Sequence, residues 1–226
     1  MSARLVAIAL VAACGSSSRP PVVEAPPRAI VVVIDRWASA STNPNAAGDL
    51  PPIATAKIVG DALLAQLGDR DLFSIIVMQR AGGYTQGVSC QTLELRMTPA
   101  TDATKAAARR AIGGQKAWED DVSRPPNSQI RCVLRGIERG VRELARARDH
   151  GRIIVISDDE RLEDDRAVLE ATAAAAHAKG VTISTIALPG GGELDRVAAA
   201  GRGRAYFAKD DAEVVTMLGR ELAILP

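Results

Sequence analysis

Three stretches of the chain are apolar with almost no polar break: Ala29-Ile30-Val31-Val32-Val33-Ile34, Leu72 to Met78 (LFSIIVM) and Ile153-Ile154-Val155-Ile156. Their β-branched residues suit a pleated strand. The lack of alternation predicts strands covered on both faces, as in the middle of a parallel sheet. Val181 to Leu188 (VTISTIAL) reads as a further strand and Arg204 to Ala208 as a last short one. Gly87 to Met97 mixes polar and apolar residues by near alternation (Val88, Cys90, Leu93, Leu95 and Met97), which predicts an antiparallel edge strand with one wet face.

Between these runs the apolar period lengthens to that of a helix. Ile58, Val59, Ala62, Leu63 and Leu67 predict a helix over Ile53 to Leu67, preceded by a loop whose breakers include Pro51-Pro52 and closed by Gly68. Ala81-Gly82-Gly83 predicts a turn after the second strand. Thr98-Pro99 reads as an N-cap with proline at the first helical position, opening a helix that runs through Ile112 to Gly113-Gly114. Ser128 begins another, with Ile130, Val133, Leu134, Ile137, Val141 and Leu144 on one face. Its opposite face is rich in arginine. The interleaved Glu138 and Glu143 read that face as solvated rather than nucleic-acid binding. Leu162 to Lys179, Glu193 to Ala200 and a helix capped by Asp210 and running through Leu222 complete the pattern. Strands alternating with helices predict an α/β fold: three layers, a doubly wound, mostly parallel six-stranded sheet with one antiparallel edge strand, helices on both faces.

The first residues do not fit that pattern. Arg4 followed by Leu5 to Ala13 (LVAIALVAA) makes a short positive region and an apolar stretch too short to span a bilayer, as in a secretory signal. It ends in Val11-Ala12-Ala13-Cys14, which resembles the lipobox of bacterial lipoproteins. That resemblance implies cleavage before Cys14, a diacylglycerol on its thiol and a lipid-anchored envelope protein; an ordinary signal peptide with an incidental cysteine is the alternative. Gly15 lacks the Asp associated with inner-membrane retention, so the outer membrane is favoured. Residues 14–27 are rich in Ser and Pro and read as a tether reaching on the order of 40 Å. The domain is expected over 28–226.

Composition adds two constraints. At 47% apolar the chain can bury a full core, but aromatics are 3%, so Ala, Val, Leu and Ile must fill it. With the leader removed, 27 basic residues face 27 acidic ones, which gives no global argument for nucleic acid or for an anionic membrane surface. Contact with a membrane is expected through the lipid anchor only.

Candidate chemistry gathers at strand ends. Asp35 ends the first apolar run, Ser39 and Ser41 follow it, and Asp158 lies in Ser157-Asp158-Asp159 after the third. Carboxylates at the C-terminal ends of parallel strands sit where open α/β sheets bind ligands. An Asp after a strand also serves as a turn former or helix N-cap. If the two strands are neighbours, Asp35 and Asp158 face one crevice, and Ser39, Ser41 and Ser128 can reach it. Carboxylates and hydroxyls without Cys or His are hard oxygen donors that suit Mg²⁺ or Mn²⁺.

The order of elements, with Asp35 and nearby serines, Ser128 at a helix start, Ser157-Asp158-Asp159 and the GVTISTIAL strand, resembles a von Willebrand factor type A (vWA) domain over about residues 28–223. The resemblance implies a metal-ion-dependent adhesion site. Asp35 matches the Asp of the family's Asp-x-Ser-x-Ser motif, Ser39 its second Ser, Ser128 its Thr and Asp158 its second Asp. Trp37 stands where the first Ser belongs, removing a direct oxygen ligand, so the implied Mg²⁺ or Mn²⁺ is weakly bound and the site degenerate. The implied function is a protein-binding module whose partner docks at the Asp35/Asp158 edge. An enzyme, a metal-dependent hydrolase using the same two carboxylates, is the rival; the sequence shows no nucleophile or base constellation for it, since His150 and His177 lie beside helix ends away from the serines. A structural tethered domain without an ion is the third reading.

Gly113-Gly114-Gln115-Lys116 lacks the spacing and final Ser/Thr of a P-loop, and Gly190-Gly191-Gly192 reads as a plain loop. Trp37 and Trp118 fall in loops on the ligand side and serve either as core filling or as partner contact. Cys90 and Cys132 are the cysteines left after Cys14 and in an exported domain are expected to pair; two free buried thiols are the alternative.

Overall fold

The computed structural model describes residues 27–35, 51–81, 89–114, 132–147, 150–158, 166–189 and 193–224. Its elements run β1 (Ala29–Asp35), α1 (Pro51–Gln66), β2 (Leu72–Ala81), β3 (Ser89–Pro99), α2 (Asp102–Gly113), α3 (Cys132–Ala147), β4 (Gly151–Ser157), α4 (Arg166–His177), β5 (Val181–Ala187), α5 (Leu194–Ala200), β6 (Arg202–Phe207) and α6 (Asp211–Leu222). The strands form one sheet in the order β3-β2-β1-β4-β5-β6. Every neighbouring pair is parallel except β2 with β3. The expected architecture, including the antiparallel edge, is the one observed.

β1 is buried along its whole length, which explains its lack of alternation. Its even-numbered residues Ile30, Val32 and Ile34 join Val59, Leu63, Ile112, Leu218 and Leu222 on the side of α1, α2 and α6. Its odd-numbered Val31 and Val33 join Ile137, Leu144, Leu169 and Val197 on the side of α3, α4 and α5. Two continuous cores therefore share one strand, each assembled almost wholly from aliphatic side chains.

α3 lies unusually close to the sheet. A methyl group built on Gly136 would come within 2.4 Å of Val33 Cγ1, so the absence of a side chain there lets the helix settle onto β1. Behind the N-terminal end of β1, Arg28 closes the fold. Its Nε and Nη2 donate to Asp71 Oδ2 (3.2 and 2.6 Å), its Nη1 to the Leu222 carbonyl (3.0 Å) and its Nη2 to that of Gln66 (3.0 Å). One guanidinium thus caps the C-terminal ends of both α1 and α6. Burial acts to raise the Asp71 pKa. The Arg28 hydrogen bonds, the Gly68 N–H and the Arg28 charge outweigh it and hold the carboxyl below its ordinary value.

Several local expectations are corrected. Thr98-Pro99 does not open a helix: both stay in β3, opposite Phe73 and Leu72, and α2 is capped instead by Thr101, whose side chain accepts the Thr104 N–H. The proline fits because it ends an edge strand. Pro51-Pro52 falls inside α1 rather than in the loop before it, since the first turn of a helix needs no N–H donors. Ala81 remains in β2, opposite Ser89, rather than starting the turn. β6 begins at Arg202, two residues earlier than expected. Glu193 precedes α5 in a left-handed conformation, φ 47°, rather than joining it. Glu143 is not on the solvated face of α3. It is 2% exposed and accepts the Met97 N–H at 2.8 Å.

Candidate functional site at the C-terminal edge of the sheet

β1 and β4 are neighbours, and their register sets Asp35 directly opposite Ser157. The chain leaves β1 through α1 toward β2 and leaves β4 through α4 toward β5, and the two helices pack on opposite faces. Such a reversal opens a crevice between the two strand ends, the usual ligand position in open α/β sheets. Asp35 is 1% exposed and Ser157 is fully buried, while Asp158, one residue beyond β4, is half-buried. Strand parity places Asp35 with Val31 and Val33, and Ser157 with Ile153 and Val155, so both side chains stand on the α3 side.

α3 aims its first turn at the same place. The helix descends antiparallel to β1 and touches it where Gly136 meets Val33. Four helical residues back to Cys132 and two strand residues on to Asp35 each cover about 6 Å, so the start of α3 stands level with Asp35. A disulfide between Cys90 and Cys132, with Cα atoms 5.6 Å apart, fastens that first turn to β3. The first described turn of α3 therefore stands beside a buried carboxylate.

Other polar groups rim the edge. Thr55, in the first turns of α1, donates from Oγ1 to Asp211 Oδ1 in the first turn of α6 at 2.9 Å. Arg166, the first residue of α4, pairs with Glu193 ahead of α5. These contacts tie together helix N-termini on both faces around the crevice.

Of the residues matched to a metal site, Asp35 and Asp158 are brought to adjacent strand ends. Ser39, Ser128 and Trp37, and with them Ser41 and Trp118, lie outside the described residues. Among the described residues no group of three or more His, Cys, Asp or Glu could hold a metal ion. The donor set that is placed, a buried carboxylate, a hydroxyl and a second carboxylate, consists of hard oxygens that fit a magnesium-like cation. Ser157 was not among the ligands expected from the sequence. The two-residue period of a strand puts residue 157 on the face of Ile153 and Val155.

No family model matches the chain, and no curated protein is similar to it in sequence. Solved structures do match in fold. An aerotolerance-related membrane protein of Bacteroides fragilis superposes with a TM-score of 0.54 at 15% identity, over 86% of this chain and 98% of that one. The SpRpn10 VWA domain gives 0.52 at 12%, over 84% and 93%. The mussel byssus protein PTMP1, solved with a zinc-occupied MIDAS motif, gives 0.52 at 14%, over 89% of this chain and 46% of its own. The chain thus has the fold of von Willebrand factor type A domains.

Proposed function

We propose that this chain is a protein-binding module of the vWA type that holds a partner at the Asp35/Asp158 edge. The observation that carries the reading is the pairing of Asp35 with Ser157-Asp158 across adjacent parallel strands at the point where the winding reverses. The rim of tied helix N-termini around it supports the same reading. A pilus adhesin, SpaC of Lactobacillus rhamnosus GG, shares the fold with a TM-score of 0.57 at 12% identity over 30% of its own length, which supports adhesion by analogy alone.

In this reading Asp35, Ser39, Ser128 and Asp158 would hold a weakly bound Mg²⁺ or Mn²⁺, with Trp37 in place of one oxygen ligand. The ion, when bound, would offer an open coordination position to a carboxylate of the partner. The chain itself supplies the buried Asp35, the first turn of α3 beside it and the fastening of that turn. The module works as a binder rather than as an enzyme. It is carried on a lipid anchor at Cys14, in the cell envelope and at the outer membrane. Crosslinking in the native envelope, followed by capture of the chain, tests the reading. A partner retained by wild type and lost with Asp158→Ala supports it; the same partner retained by both variants contradicts it.

A further inference from the structure

The sheet has two edges, and β3 is the longer one, with no described element on its outer side. Its lower part is closed off. Arg96 and Met97 form an irregularity opposite Ser74, and the Met97 N–H is taken by Glu143 Oε2. From Ser89 to Leu95 the register with β2 is regular, each residue facing one partner from Ala81 back to Ile75. Alternate residues of such a strand turn their N–H and C=O groups away from the sheet, a template for another strand.

α3 lines this edge with positive charge. Arg139 pairs with Glu94 of β3 at 3.2 Å, which marks the side of the helix that faces β3. Arg135 and Arg142, four residues before and three after it, share that stripe. Both are exposed, and neither makes an ion pair among the described residues. Of the two acids interleaved with these arginines, Glu143 is buried and engaged by Met97 and Arg146. The helical period sets Glu138 farther from β3 than any of the arginines. A flat anionic surface would meet Glu138 together with the arginines, whereas an extended chain lying along β3 would meet the arginines first.

We propose that the outer edge of β3 over Ser89–Leu95 accepts an extended acidic segment of a partner protein as an added strand, its carboxylates paired with Arg135 and Arg142. Main-chain hydrogen bonds would supply the affinity and the arginines the choice of sequence. This surface is separate from the Asp35/Asp158 edge and does not depend on it.

The test is fluorescence anisotropy on the full chain with a short labelled peptide that alternates Glu with Val. Three controls accompany it: the Lys counterpart, an N-methylated counterpart and phosphatidylglycerol vesicles. The acidic peptide should bind, the N-methylated and Lys peptides should not, and Arg135→Glu with Arg142→Glu should weaken binding at least about tenfold. Asp158→Ala should leave it unchanged. Absence of peptide binding, equal binding of the N-methylated peptide, or indifference to the double substitution would overturn the proposal. So would loss of peptide binding in Asp158→Ala, which would move the peptide to the carboxylate edge. Arginine-dependent vesicle binding without peptide binding would show a membrane face instead.

Discussion

Asp35 and Ser157 stand opposite each other on adjacent parallel strands, both essentially without solvent exposure, at the C-terminal edge of the sheet. A buried carboxylate is costly unless its surroundings compensate it. Here Ser157 brings a hydroxyl to the opposite position on β4, while Asp158 one residue along adds like charge that a bound cation would offset. The pairing requires β1 and β4 to be neighbours, which holds because β1 is followed by a crossover to one side and β4 by a crossover to the other.

The Cys90–Cys132 bond closes a sequence separation of 42 residues between the edge strand and the helix that leads to the site. In the chain-entropy treatment such a loop contributes about 4 kcal/mol. Urea unfolding of Cys90→Ser with Cys132→Ser should show a loss of that order. Thiol labelling of unreduced, unfolded wild type should find neither of these cysteines reactive.

Acid should loosen the clasp at the opposite end of the fold. The Asp71 carboxyl titrates below its ordinary 3.8, so its stabilising effect is fully present above that value and disappears as pH falls through the lower folded-state value. Asp71→Asn should lower stability at neutral pH by about 2 kcal/mol, a charge-assisted hydrogen-bond set lost. It should also flatten the decline below pH of about 4. Denaturant midpoints measured across that range check both.

Alkali acts through Tyr206. Burial, then the hydrogen bond to Glu221 and that residue's charge, push its pKa above the ordinary 10.0 against the opposing effect of Arg204. The hydroxyl donates to Glu221 Oε2 at 2.8 Å, in a cluster where Glu221 also accepts from Ser184 and pairs with Arg152. The stabilising effect is complete below the unfolded-state value and is lost as pH rises through the folded one. Tyr206→Phe should cost about 1.5 kcal/mol near neutrality and remove that part of the alkaline decline. Denaturant midpoints of the two proteins from neutrality into alkali check this.

The sheet was legible because β1, β2 and β4 are too apolar to be anything but central, and because near alternation marked β3 as an edge. Thr98-Pro99 misled because a strand's last residues and a helix's first ones accept the same Thr-Pro pair. The arginine face of α3 misled for a different reason. Charge balance counted along a helix assumes every side chain faces water, and Glu143 turns inward to satisfy an amide of β3. Asp35 and Asp158 could be placed together because each ends a buried strand. Ser39 and Ser128 lie outside the described residues, and their match to the site rests on the family motif rather than on apolar periodicity.

The leader predicts a mass. Acylated Cys14 should add diacylglycerol and fatty acyl groups to a chain beginning at residue 14, and Cys14→Ser should leave the membrane fraction, since several acyl chains anchor stably where one does not. Intact-mass analysis of the membrane fraction checks this. An unchanged mass with undiminished membrane association would rule out the anchor.

Calorimetric titration with Mn²⁺ tests the carboxylate edge most directly. Wild type should bind weakly, because Mg²⁺-like ions tolerate little departure from octahedral geometry and Trp37 replaces an oxygen. Trp37→Ser should tighten binding by about tenfold, because a hydroxyl oxygen then stands at the missing ligand position. Asp158→Ala should abolish binding. Tight binding by wild type that survives Asp158→Ala would contradict the assignment of this edge as the cation site.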